Sequence, residues 1–156
     1  MSKNKINTKT IARIAAIQAI YQYQNNDSQV NISKVTENIL NFYQNSDLTK
    51  DFDLNEKTPI KIKMSQSYFR ELVQFTQDNL SSTNLLIADY LTEQWNIDKL
   101  PILLKSILQV AICELKYFPE TPKKVIINEY TDIASDMIND QEIAFVNSIL
   151  DKISKL

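Results

Sequence analysis

A chain of 156 residues with no glycine has few folds open to it. Tight two-residue hairpins depend on residues that accept φ > 0, with Asn-Gly and Gly-X preferred. Phosphate-cradling loops need the same freedom, together with close approach of the bare backbone. A β-rich or α/β domain built without glycine would lack its turns and its nucleotide loops. A bundle of helices needs neither. The pattern therefore predicts an all-α domain over residues 1–156, in which 44% apolar residues suffice for a core.

Histidine is also absent. That removes Ser-His-Asp and Cys-His nucleophile chemistry, histidine base catalysis and imidazole zinc sites. The expectation is a protein without catalytic residues, metal or cofactor. The single cysteine, Cys113, excludes an intrachain disulfide and fits a reducing cytoplasm. It lies between Ile112 and Glu114 within a helical pattern, which favours a structural thiol over a nucleophile. The opening residues MSKNKINTKT carry no apolar stretch of the secretory kind. No apolar run approaches the roughly 18–20 residues that span a bilayer, so no membrane partner is expected.

Helical periodicity runs through most of the chain. The first helix is expected over about residues 9–24, capped by Asn7 or Thr8, with Ile11, Ile14, Ala15, Ile17 and Ile20 apolar on most sides. Gln18 within it reads as a satisfied core amide, with an interface role left open. A second helix starts at Ser33 and reaches residue 45, offering Val35, Ile39, Leu40 and Phe42. Residues 46–63 (SDLTKDFDLNEKTPIKIK) lose the period and read as a surface loop or insertion. The pattern resumes near Ser65 or Ser67 with Tyr68, Phe69, Leu72 and Phe75, and again after a cap at Ser81 or Ser82 with Leu85, Leu86, Ala88 and Leu91. Pro101 opens a long helix that Pro119 stops, and Thr121-Pro122 opens another with Val125, Ile126, Tyr130, Ile133 and Met137. Asn139 or Asp140 caps the last, in which Phe145, Val146, Ile149, Leu150 and Ile153 share a face. Seven helices on short links predict a compact bundle.

Glu114 falls on the stripe of Leu103, Ile107 and Val110 and is expected to be buried; Glu129 and Asp132 lie on the following helix. Inward carboxylates can build a di-metal centre, but that design also needs Glu-x-x-His, which this chain cannot supply. A buried glutamate satisfied by a helix N-terminus, by Asn128 or by a basic side chain is the simpler reading.

Charge is uneven. Residues 1–24 hold Lys3, Lys5, Lys9 and Arg13 and no carboxylate, a local +4 that leaves −6 on the remainder of a chain of net −2. Such an arm suits an anion, although lysine-rich ends also serve as plain solvated tails. Lys9 and Arg13 share one face at i, i+4. Tyr21 and Tyr23 follow them, and a tyrosine beside cations can stack a base while the cations hold phosphates.

Five blocks together resemble the NusB family of bacterial transcription antitermination factors: ARIAAIQAIYQ (12–22), YFREL (68–72), ILQVAICEL (107–115), IINEY (126–130) and FVNSILDK (145–152). They occur in the family's order across nearly the whole chain. The resemblance implies an all-α fold of two packed helical halves. It implies binding of boxA RNA in nascent ribosomal transcripts together with NusE, a small-subunit ribosomal protein, within an antitermination complex on RNA polymerase. It leaves a homodimer open. By position it implies RNA contacts at Lys9, Arg13, Tyr21 and Phe145, and a partner surface at Tyr90, Leu104 and Lys105. Gln109 stands where the family usually has arginine, Ser148 where it has glycine, and Leu104 where an acidic residue can meet the partner. Lysine also replaces much of the family's basic opening, and it grips phosphate without arginine's bidentate fork. The alternative is a helical adaptor for protein partners without RNA affinity of its own. The related helical domain of ribosomal RNA methyltransferases is a further relative, but no glycine-rich cofactor segment is present here.

Overall fold

The computed structural model describes residues 7–26, 30–45, 63–92 and 96–156. Lys3, Lys5 and nearly all of the expected 46–63 insertion lie outside them. Among the described residues there are seven α-helices: α1 (Thr8–Asn25), α2 (Ile32–Asn45), α3 (Gln66–Asp78), α4 (Leu80–Ala88), α5 (Ile102–Tyr117), α6 (Lys123–Ser135) and α7 (Asp140–Ser154), with a 3-10 turn at Ile97–Lys99 before α5. None of these helices is long and apolar enough to cross a membrane.

The helix ends show how a chain without glycine stops and starts. The residues closing α1, α3, α4, α5, α6 and α7 all have negative φ, between −61° and −122°. No closing residue takes the left-handed conformation that favours glycine. The cap N–H of α3, α6 and α7 bonds back to a carbonyl three residues earlier, while those of α4 and α5 keep the α-helical bond, to Leu85 and Glu114. Starts are supplied by asparagine. The side chain of Asn7 accepts from the Lys9 N–H at 2.9 Å, and that of Asn31 from the Ser33 N–H at 2.9 Å. Asn139 forms a reciprocal capping box with Glu142, at 2.9 and 3.1 Å. The expected cap at Ser81 or Ser82 is not used. Only Asn79 separates α3 from α4, and both serines fall inside the first turn of α4, where Ser82 Oγ donates to the Asn79 carbonyl.

Helix α5 is the central strut. On one side it packs against α1 and α3, with α2 laid on α1 and α3; on the other it packs against α6 and α7, and α4 also lies along it. The two halves thus meet across α5. Eleven of its sixteen residues are buried, Leu108, Ile112 and Cys113 among them. Helix α1 is nearly as enclosed, because Ala12, Ala15, Ala16 and Ala19 let neighbouring backbones come close.

Several expected core positions lie outside. Leu85 is 70% exposed and Phe42 57% exposed. Phe75 stacks on the ring of Tyr117 at 5.4 Å, at the surface between α3 and α5. Gln18 is not a core amide: it is exposed and accepts from the Tyr43 hydroxyl at 3.0 Å. Cys113 is buried, and burial pushes its thiol up, as suits a structural residue. Asn139→Ala should remove one cap and destabilise the protein by about 1 kcal/mol, read as a melting temperature lower by about 2–4 °C.

Candidate functional site

The first turns of α1 carry the residues singled out by charge, and they divide. Lys9 is exposed, with its ammonium 5.1 Å from the centre of the Tyr68 ring. Arg13, expected as a phosphate contact, is 2% exposed. Its Nε donates to Glu114 Oε1 at 2.9 Å and Oε2 at 3.1 Å, and its NH2 donates to Oε2 at 2.7 Å. The Tyr130 hydroxyl donates to the other side of Oε1 at 2.7 Å, and the Tyr68 hydroxyl to Oε2 at 2.8 Å. Glu129, partly exposed, approaches Arg13 NH1 at 3.6 Å and accepts from Thr10 Oγ1 at 3.1 Å. Arg13 is therefore a core ion, corrected from its expected surface role. With Nε and Nη2 committed to Glu114, little of the guanidinium is left for a strand in solvent.

This cluster joins α1, α3, α5 and α6 through hydrogen bonds to both carboxylate oxygens of Glu114. Burial opposes the charge on Arg13, but its hydrogen bonds and attraction to Glu114 outweigh that and hold its pKa above the usual guanidinium value. Burial, and then the charge of Glu114, push the Tyr68 hydroxyl up to about 12. The same two causes drive Tyr130 well above its ordinary value.

Tyr21 is half-buried near the other end of α1. Twelve residues from Lys9 is a rise of about 18 Å and a turn of about 120° around the helix. The two do not share a face. The structure instead brings Phe145 to Tyr90 and Leu104, residues assigned to RNA on the one hand and to a protein partner on the other. All three line one groove of about 620 Å³ where the end of α4, the start of α5 and the start of α7 converge. Leu104 is its buried floor. Asn139, Gln141, Glu142 and Lys99 form a polar rim, so the capping box that starts α7 borders the same groove as Phe145. Lys105 is half-buried and outside the lining. The rim residues carry no expectation from the sequence, although Asn139-x-x-Glu142 is legible as a capping box.

Gln109, fully buried, exchanges hydrogen bonds with Gln24 at 2.7 and 3.0 Å and donates to Asn84 at 2.7 Å. Gln109 thus ties α1, α4 and α5 together with amides.

These features define the class: an all-α bundle of two helical halves, locked by a buried ion pair, with a groove where helix ends meet. Comparison with known proteins gives the particular case. The model of the NusB family matches residues 10–155. The chain is 52% identical to the transcription antitermination protein NusB of Rickettsia bellii, over 99% of this chain and 94% of that protein. It is 50% identical to that of Rickettsia massiliae, over 99% and 96%. Among solved structures, NusB of T. maritima superposes with a TM-score of 0.74 at 24% identity, over 97% of this chain and 93% of that one. A complex of antitermination factors NusB and NusE with double-stranded RNA contains a chain matching at 0.71 and 16% identity, over 97% and 98%. The chain belongs to the NusB family of transcription antitermination proteins, a family of regulators and not of enzymes.

Arg13→Met leaves Glu114 charged and unpaired in the core, and should cost about 3–5 kcal/mol in urea unfolding; joining it to Glu114→Leu should restore much of that loss. The tyrosines add an alkaline limit. A folded pKa raised above the unfolded value stabilises fully below the unfolded value and is lost as pH passes the folded one. Stability should hold up to about pH 10 and decline toward 12, in step with the tyrosinate absorbance of Tyr68.

Proposed function

We propose that this chain binds the boxA element of nascent ribosomal transcripts together with NusE, in the cytoplasm, and helps RNA polymerase read through terminators as part of an antitermination complex. The observation that carries this reading is the single groove in which Phe145, Tyr90 and Leu104 meet, within a chain of the NusB family. A groove shared by the two sets of residues suits RNA and protein bound side by side, each enlarging the surface offered to the other. Phe145 supplies a ring for a base, and the aliphatic floor at Leu104 suits a protein side chain. Lys9 supplies a phosphate contact at the start of α1, and Tyr21 a base or sugar contact near the end of the same helix.

Arg13 has no place in that contact set. With it engaged in the core, phosphate attraction falls to lysines, which bind as point charges. This favours a second reading, a protein adaptor that meets RNA only through its partner. A gel shift with boxA RNA, with and without NusE and over a salt series, separates the two. On the first reading RNA is shifted by the chain alone and more tightly with NusE; on the second it is shifted only with NusE.

Lys9→Glu should weaken boxA binding and flatten the dependence of log K on log salt by about 0.7 for a lost single-strand phosphate contact. Phe145→Ala should weaken binding with the salt slope unchanged, because stacking releases no counterions. An unaltered affinity in both variants would refute the contact set.

A further inference from the structure

A second groove, of about 610 Å³, lies at the opposite ends of α5 and α7. Its floor is Leu86, Leu115 and Ile153, from α4 and the last turns of α5 and α7; Pro119, Pro122, Lys116 and Lys123 form much of its edge. Lys116 and Lys123 are exposed. Lys123 Nζ donates to the Ser154 carbonyl at 3.0 Å, which holds that ammonium over the junction of α6 with α7. Among the described residues no acidic side chain lines the groove, and Leu156 completes its apolar wall. Of the nearby carboxylates, Glu120 lies outside the lining and Asp151 is paired with Lys155 at 3.1 Å. On a chain of net −2, two lysines over an aliphatic floor are a local inversion of charge.

We infer that this groove docks an acidic, aliphatic segment of a protein partner. Its carboxylates meet Lys116 and Lys123, and its leucine-like side chains enter over Leu86, Leu115 and Ile153. The complementarity selects protein over nucleic acid. The lysines would attract either, but among the described residues no aromatic ring lines the groove to stack a base, and an aliphatic floor is left wet by a sugar-phosphate chain. Leu104 and Leu115, which mark the two grooves along α5, are separated by a rise of about 17 Å. Occupants at the two ends need not touch, and the protein can hold both at once.

The test is a titration of the isotopically labelled full chain, followed by amide resonances, with three probes: a short peptide alternating Glu and Leu, its Gln-for-Glu counterpart, and oligouridine. The acidic peptide is expected to move the resonances of Leu115, Lys116, Lys123 and Ile153. The neutral peptide should bind about tenfold more weakly, as should the acidic peptide to the Lys116→Glu, Lys123→Glu double variant. Both lysines are exposed, so an unchanged melting temperature will show that the variant is folded. The inference is overturned if oligouridine moves these resonances and the peptide does not, if the two peptides bind alike, or if neither binds. Since no probe carries boxA sequence, this result stands apart from the fate of the RNA reading.

Discussion

The ion pair between Arg13 and Glu114 is the interaction on which the remaining architecture depends. It is the meeting point of four helices, and each contributes a group that a purely apolar contact would not need. Removing two charges from water costs several kcal/mol for each ion, and attraction offsets that cost only where every remaining lone pair and proton finds a partner. Here both carboxylate oxygens are fully engaged, by the guanidinium fork and by two tyrosine hydroxyls. The pair therefore selects one register of α1 against α5. A shift of α1 by one residue would leave the guanidinium facing aliphatic side chains and strand Glu114 in the core. An interface of alanine and isoleucine alone would distinguish such registers far less sharply.

Much of the fold was legible in the chain because it follows from local rules. Periodicity located seven helices, prolines marked the starts of α5 and α6, and for α1 and α7 the asparagine of each pair of candidate caps, Asn7 or Thr8 and Asn139 or Asp140, is the one used. The absence of glycine pointed to helices, and the negative φ at the helix ends shows the same constraint met in three dimensions. The failures are those of local reasoning. Arginine at a helix start, in a run free of acids, reads as a solvent-facing charge. Its partner lies 101 positions away, and nothing near Arg13 announces it. Glu114 was readable as buried because it stands on an apolar stripe, and a basic partner was among its expected solutions. Each half of the pair was thus visible separately, but not the pair. Phe42, Phe75 and Leu85 fail for the opposite reason. An apolar residue at helical spacing reads as core, yet the bundle is too small to cover every such residue.

The candidate site was legible as a set of residues and not as an arrangement. Phe145 belongs to α7, Tyr90 follows α4 and Leu104 begins α5. They converge because helices that pack against α5 end at similar heights along it, a property of helix lengths and links. The capping box is the local device that makes the convergence usable. By fixing where α7 starts, Asn139 and Glu142 set the height at which Phe145 emerges.

The same buried pair bears on how RNA would be held on the proposed reading. Arginine can serve a phosphate or a carboxylate with the same fork, and at position 13 the carboxylate wins because it is fixed, desolvated and flanked by donors that leave it no alternative partner. What remains at the amino end of α1 among the described residues is Lys9, whose ammonium rests over the ring of Tyr68, with Glu129 close to the same turn. An exposed lysine beside a carboxylate is a weak anchor in physiological salt. Affinity for a strand must then come from contacts distributed along α1 and into the groove, where a ring and a neighbouring protein surface add binding that salt does not screen. A thinly basic surface of this kind is the physical reason for a protein to bind RNA with a partner beside it.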